Sequence, residues 1–227
     1  MGAPLNEPEQ SPLPCPTWVF SNSSDVHVAK DLSWFGEDYT PFKTFYTTIA
    51  GDTVEAIGVG SVNIAVQTNT QGGNATLHLK SVLHAPTSNT NVLGNMNEYR
   101  STMSASSVEL NRIDDGSPAA FCKSEHGLYT LELSKPPVGP EVGPSALKPN
   151  VSYMIHAFWP RSERERFSNE QASSQRTDAE NAWIKKHYGT EFKFLMIHGL
   201  NIHNEEHREE GRAIMRAFMS SDEEPMT

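Results

Sequence analysis

His203-Asn204-Glu205-Glu206-His207 places two imidazoles four residues apart around a carboxylate. On a helix that H-x-x-E-H spacing turns both histidines to one face and lets the glutamate act as base on a zinc-bound water. Such a centre needs a third ligand on a distant downstream helix, only 20 residues follow His207, and His203 precedes the best helix start. The cluster reads as a solvated Glu/His helix face, with incidental zinc binding through His198, His203 and His207 as the alternative, and no cofactor is expected. A second polar cluster, Ser21-Asn22-Ser23-Ser24-Asp25, follows the apolar run Trp18-Val19-Phe20 and contains Asp25 as its carboxylate for acid–base work. His27 has no cysteine or second histidine near it in sequence and reads as a structural histidine. Gly58-Val59-Gly60 begins a strand and lacks the later glycines of a phosphate loop. Cys15 and Cys122 are too few for a disulfide framework and carry no CxxC spacing, so both are expected as free thiols.

The elements that hold these groups change character along the chain. From Thr17 to Ser134, short runs rich in β-branched and aromatic residues alternate with Gly, Asn, Asp and Ser, the punctuation of a β protein. Residues 44–49 and 53–57 flank Ala50-Gly51-Asp52 as a hairpin. Val62, Ile64 and Val66 alternate as a half-buried strand should, and a further strand over 75–84 stops at Pro86. Lys135 to Asn150 holds five prolines with interleaved glycines and reads as an extended linker and domain boundary. Beyond it the pattern is helical. Thr177 or Asp178 caps a helix that Gly189 ends, a short helix runs from Glu191 to His198, and a third spans about 204–219 with acidic residues early and Arg212 and Arg216 late. Ala213, Ile214, Ala217 and Phe218 fall on one stripe of that third helix, which packs on its own protein or docks a protein partner.

The order of motifs resembles the protease region of Copia-type retrotransposon polyproteins. In that family an apolar strand begun by Trp leads into Asp-Ser/Thr-Gly-Ala-Ser, a variable residue and His; here Trp18-Val19-Phe20 and His27 are present, while Ser21 stands at the catalytic Asp position, Asn22 at Ser/Thr, Ser23 at Gly and Ser24 at Ala. Gly58-Val59-Gly60-Ser61-Val62 is similar to the family's Gly-x-Gly strand start. Leu79-Lys80-Ser81-Val82-Leu83-His84-Ala85-Pro86 resembles its L-x-D-V-L-y-x-P, with Ser81 for Asp. Asn91-Val92-Leu93-Gly94 resembles the Asn-Leu-Leu-Ser step, and Gly127-Leu128-Tyr129-Thr130-Leu131 the closing Gly-Leu-Tyr-x-Leu. The resemblance implies a small, closed, retropepsin-like β-barrel that dimerises through its active-site loops and terminal strands. It also implies a dead site, because an active pair of such loops shares one proton between two carboxylates and Ser21 offers a hydroxyl whose pKa is far too high to act as base. Asp25, four residues along, is the fallback carboxylate of a relocated site.

Composition bounds what remains. At 227 residues the chain can hold one domain plus an appendage, and 37% hydrophobic residues leave room for linker and tail. The net charge of −10 argues against a nucleic-acid partner, since phosphate affinity comes from Lys and Arg. No apolar stretch approaches the ~20 residues of a membrane helix, and the Pro-rich, acidic start has no signal-peptide pattern, which points to an intracellular protein of cytoplasm or nucleus. The expected organisation is a disordered 1–16, a retropepsin-like β-barrel over 17–134, a linker over 135–150 and a helical tail over 151–227. The expected function is a retrotransposon-derived, catalytically inactive protease-like module for interaction or self-association, with a homodimer through the barrel. The alternative is a retropepsin-like aspartic endopeptidase with an aberrant site.

Overall fold

The computed structural model describes residues 13–69, 73–148, 150–174, 177–202 and 204–222. Its contacts divide the chain into two compact units, Met1–Glu163 and Arg164–Thr227.

The first unit is built on one sheet of ten strands: β1 (Trp18–Phe20), β2 (Val28–Ala29), β3 (Thr40–Thr47), β4 (Thr53–Gln67), β5 (Asn74–His84), β6 (Asn91–Leu93), β7 (Tyr99–Met103), β8 (Ser107–Arg112), β9 (Pro118–Glu125) and β10 (Leu128–Leu131). The mainly β character legible in the sequence is what the chain adopts, with a helical C-terminal region. The 44–57 hairpin forms, its turn made by Gly51 at φ +88°. β4 runs unbroken through Gly58 and Gly60, where a strand start was expected, and absorbs a register shift between Gly60 and Val62. Gly58 is needed there because Tyr39 packs on it: an added Cβ would lie 2.2 Å from the Tyr39 hydroxyl oxygen. Past the shift the alternation is regular, with Val62, Ile64 and Val66 fully buried among Trp18, Leu77, Leu79, Leu93 and Leu110.

The expected closed barrel is corrected. The strands pair in the order β3-β4-β5-β2-β6-β1-β10-β9-β8-β7, which leaves β3 and β7 as ends. The sheet curls until Val66 meets Leu133, just past β10, in an isolated antiparallel bridge. Gln67 N–H donates to Glu132 O at 2.8 Å and Ser134 N–H to Ala65 O at 2.9 Å. The bridge is not extended into a named strand pair, and toward the C-terminal side Pro136 and Pro137, three and four residues on, have no N–H to donate.

The Pro/Gly stretch 135–150 does not end the unit. Gly143 N–H donates to Pro14 O at 2.9 Å, Ser145 Oγ bonds Thr17 Oγ1 at 2.8 Å, and Leu147 is buried, so the division falls between Glu163 and Arg164. Of the N-terminal stretch expected to be disordered, residues 1–12 lie outside the described residues and 13–16 pack on the unit. Residues 151–160, expected within a helical tail, are extended.

Among the described residues, four helices follow: α1 (Arg161–Ser174), α2 (Asp178–His187), α3 (Glu191–Ile197) and α4 (Glu205–Asp222). α1 is polar apart from Phe167 and Ala172, so it leaves no apolar stripe in the sequence. Thr177 caps α2 in a reciprocal capping box with Glu180, and Gly189 and Gly199, at φ +81° and +73°, terminate α2 and α3. In the second unit Ile184, Phe194, Leu195 and Met215 form the core. The expected stripe of α4 packs in part: Ile214 lies against that core and Phe218 stacks on Trp183 with ring centroids 6.2 Å apart, whereas Ala213 and Ala217 are exposed and Gly211, Arg212 and Met215 face inward. Gly211 lies close against Leu195, so that a Cβ on it would require the Leu195 side chain to shift.

Candidate functional site

The topology dictates where the Ser21–Asp25 loop must lie. β6 runs between β1 and β2, parallel to β1 (Trp18↔Asn91, Val19↔Val92, Phe20↔Leu93) and antiparallel to β2 (Val28↔Val92). The connection from β1 to β2 therefore crosses the end of β6. Ser21 N–H donates to Leu93 O and Asn95 N–H to Ser24 O, each at 3.0 Å, which ties the loop to that end. Gly94 passes beneath it so closely that a Cβ would sit 2.4 Å from Val26 O and 2.7 Å from Ser24 Cβ, so a side chain here would displace the loop backbone.

Within the loop the hydroxyls form a network. Ser24 Oγ donates to Ser21 Oγ at 2.8 Å, and Ser21 Oγ donates onward to Ile155 O at 3.1 Å. Both serines are buried, while Asn22 and Ser23 at the tip are exposed. The loop is covered by an extended segment of its own unit, residues 155–159. Ala157 N–H donates to Ser24 Oγ at 2.9 Å, Asp25 N–H to Ala157 O at 3.1 Å, and Trp159 N–H to Asp25 Oδ1 at 2.9 Å. On its other flank the segment pairs with the β3 edge through Thr47 N–H to Phe158 O at 2.8 Å and Phe158 N–H to Thr47 O at 3.0 Å. The buried Trp159 indole N–H donates to Thr44 Oγ1 at 3.0 Å, and Thr44 Oγ1 donates to Glu163 Oε2 at 2.8 Å. Sequence reading missed this segment because it carries no catalytic motif. The available signal was Ala157-Phe158-Trp159-Pro160, an apolar run too short for a helix and closed by a proline.

The structure brings Ser21, Ser23, Ser24 and Asp25 together with His156, whose Nδ1 lies 3.1 Å from Ser23 Oγ. A serine with an imidazole at that distance is half of a nucleophile and base arrangement, but among the described residues no carboxylate orients His156. His27 lies outside this network. It is 5% exposed, its Nδ1 is buried without a partner, and burial lowers its pKa to about 4, so the ring is neutral at neutral pH. Asp25 serves the covering segment through the Trp159 amide.

Two of the three histidines named as an alternative zinc set, His198 and His207, lie among the described residues. His198 sits among Phe194, Phe218 and Tyr188, with ring centroids 4.8, 5.8 and 6.3 Å away. His207 Nδ1 accepts from Asn201 N–H at 3.0 Å, and His203 lies outside the described residues. No group of three potential metal ligands occurs among the described residues, and no helix there is long and apolar enough to cross a membrane.

Residues 18–98 match the family model of the Pol polyprotein beta-barrel domain. The match takes in β1 through β6, with the Ser21–Asp25 loop and Gly94, and stops before β7; it covers a little over a third of the chain. It supports a retroelement Pol-derived β-barrel domain. No curated protein and no solved structure matches the chain.

Proposed function

We propose that the chain is a catalytically inactive, protease-like module of Copia-type retrotransposon origin that works by protein interaction or self-association. The observation that carries this reading is the state of Ser21. In the motif order it occupies the catalytic Asp position, and its hydroxyl is buried, accepts from Ser24 Oγ and donates to Ile155 O. A hydroxyl so engaged has its one proton committed to a main-chain carbonyl, and it lacks the acidity to share a proton with a second group as a carboxylate pair does. The fallback acid, Asp25, bonds the Trp159 amide, and the loop face that a substrate would approach is filled by residues 155–159.

The same loop position supports self-association, because Asn22 and Ser23 remain exposed at its tip. The test is incubation of the purified chain with a broad peptide library from mild acid to neutral pH, with and without pepstatin, alongside sedimentation to determine the oligomer. An intact library and a dimer are expected. Pepstatin-sensitive cleavage would overturn the inactive reading in favour of an aspartic endopeptidase.

A further inference from the structure

Residues 155–159 are held as a bound peptide is held by a strand-adding receptor. Main-chain groups are bonded on both flanks, to Ser21, Ser24 and Asp25 on one side and to Thr47 on the other. Side chains alternate: Ala157 is 0% and Trp159 4% exposed, whereas Phe158 between them is 47% exposed. Backbone bonds supply affinity in such a mode, and the inward pockets supply the sequence requirement. The requirement here is a small residue at 157, whose amide and carbonyl must reach the loop, and a tryptophan at 159, whose indole must reach Thr44.

Receptor and ligand come from well-separated stretches of the chain. The loop, the β3 edge and Gly94 lie inside the stretch that matches the Pol β-barrel family, and the segment lies well beyond its end at residue 98. The connection is exposed, with Val151 43% and Met154 73% accessible, after Leu147 has anchored the chain. A segment joined by such a connection can leave its own groove and enter that of a second copy with every bond reproduced, which makes exchange inexpensive in enthalpy.

We propose that the groove between the Ser21–Asp25 loop and the β3 edge is a strand-addition site for an extended Ile-His-Ala-Phe-Trp segment, filled by the chain's own residues 155–159 and, on exchange, by those of a second copy. This names the site and partner of the interaction module proposed above and rests on that reading. The resident segment competes at the high effective concentration of a short tether, so the wild-type groove is largely closed to added ligand.

The experiment uses the full chain and a fluorescent peptide of residues 151–163, which is the second copy's segment reduced to its contacts. In Ala157→Arg the resident segment cannot seat, because Ala157 is fully enclosed and an arginine does not fit. The variant should bind the peptide at least tenfold more tightly than wild type in an anisotropy titration, and a peptide carrying the same Ala157→Arg change should bind neither. If Ala157→Arg does not melt cooperatively, Trp159→Ala replaces it in the same titration, since it removes the indole anchor without placing a charge in the groove. A folded variant that ignores the wild-type peptide, or that binds it no better than the wild-type chain does, overturns the proposal. Neither result concerns cleavage, so a failure here is separate from a failure of the inactive reading.

Discussion

Protonation of His27 should make the first unit acid-labile by an amount that can be worked out. Burial lowers its pKa from 6.5 to about 4, and no hydrogen-bond partner meets its Nδ1. The unfolded chain therefore binds a proton on this ring as pH falls through 6.5, while the folded chain does so only near 4. Stability is unaffected above 6.5, falls by about 1.4 kcal/mol per pH unit below it, and levels off below about 4. The cost is about 2 kcal/mol at pH 5 and about 3 kcal/mol at the plateau. Urea unfolding of wild type and His27→Gln, followed by Trp fluorescence at pH 7.5, 6, 5 and 4.5, separates this histidine from the rest. His84, its pKa also lowered chiefly by burial, contributes the same slope to both proteins and cancels in the difference. The difference between the curves should move in favour of His27→Gln by about 2 kcal/mol between pH 7.5 and 5. Parallel curves would mean that His27 gains a proton partner or water in the folded state, and the burial argument would fail.

Gly94→Ala should cost about 2 to 3 kcal/mol, because its Cβ meets the Val26 carbonyl oxygen and Ser24 Cβ, and the loop backbone must move. Gly116→Ala, at φ +71° in open space, should cost about 1 kcal/mol; equal falls in melting temperature would deny that Gly94 is a crossing point. Cys122 is fully buried, and desolvation, with Glu132 adding to it, pushes its thiol up to about 12. Iodoacetamide should therefore add once to the native protein, at Cys15, and twice in urea; rapid double labelling of the native chain would show the strand β9 environment to be open.

How much was legible depended on the range of the interactions. α2 and α3 could be read because their limits are local: the Thr177–Glu180 box and the glycines at 189 and 199 act within a turn. The β3–β4 hairpin was readable for the same reason. α1 was not, because a helix so polar has no apolar period, and the inward face of α4 was read only in part because Gly211 and Arg212, which share it, answer to packing against another helix. Closure of the sheet was overestimated: alternation says that one face is buried, not whether the last strand pairs with the first. At the site, the motif placed Ser21 and its neighbours in one loop, but no local pattern connects Ser24 to Ala157 or Thr47 to Phe158, contacts more than a hundred residues apart in sequence.

On the proposed reading, that covering segment decides what placing an acid at position 21 should do. Ser21→Asp with Asn22→Thr and Ser23→Gly rebuilds an Asp-Thr-Gly loop, and in a dimer two such loops would share one proton and show a strongly raised apparent pKa. In this chain, however, the residue at 21 must donate to Ile155 O, and an ionised carboxylate has nothing to donate. It either keeps its proton for the carbonyl or pushes the segment away, and Ser23→Gly at the same time removes the hydroxyl that meets His156. The triple variant alone should therefore stay inert toward an apolar peptide and melt at a lower temperature than wild type. Adding Ala157→Arg, which empties the groove, should give weak cleavage in mild acid where the pair holds a single proton. Cleavage by the triple variant at the same rate with and without Ala157→Arg would show that residues 155–159 are no barrier. If both proteins are dimeric and inert, the groove does not offer a substrate geometry, because the carboxylates and the opening would then both be in place.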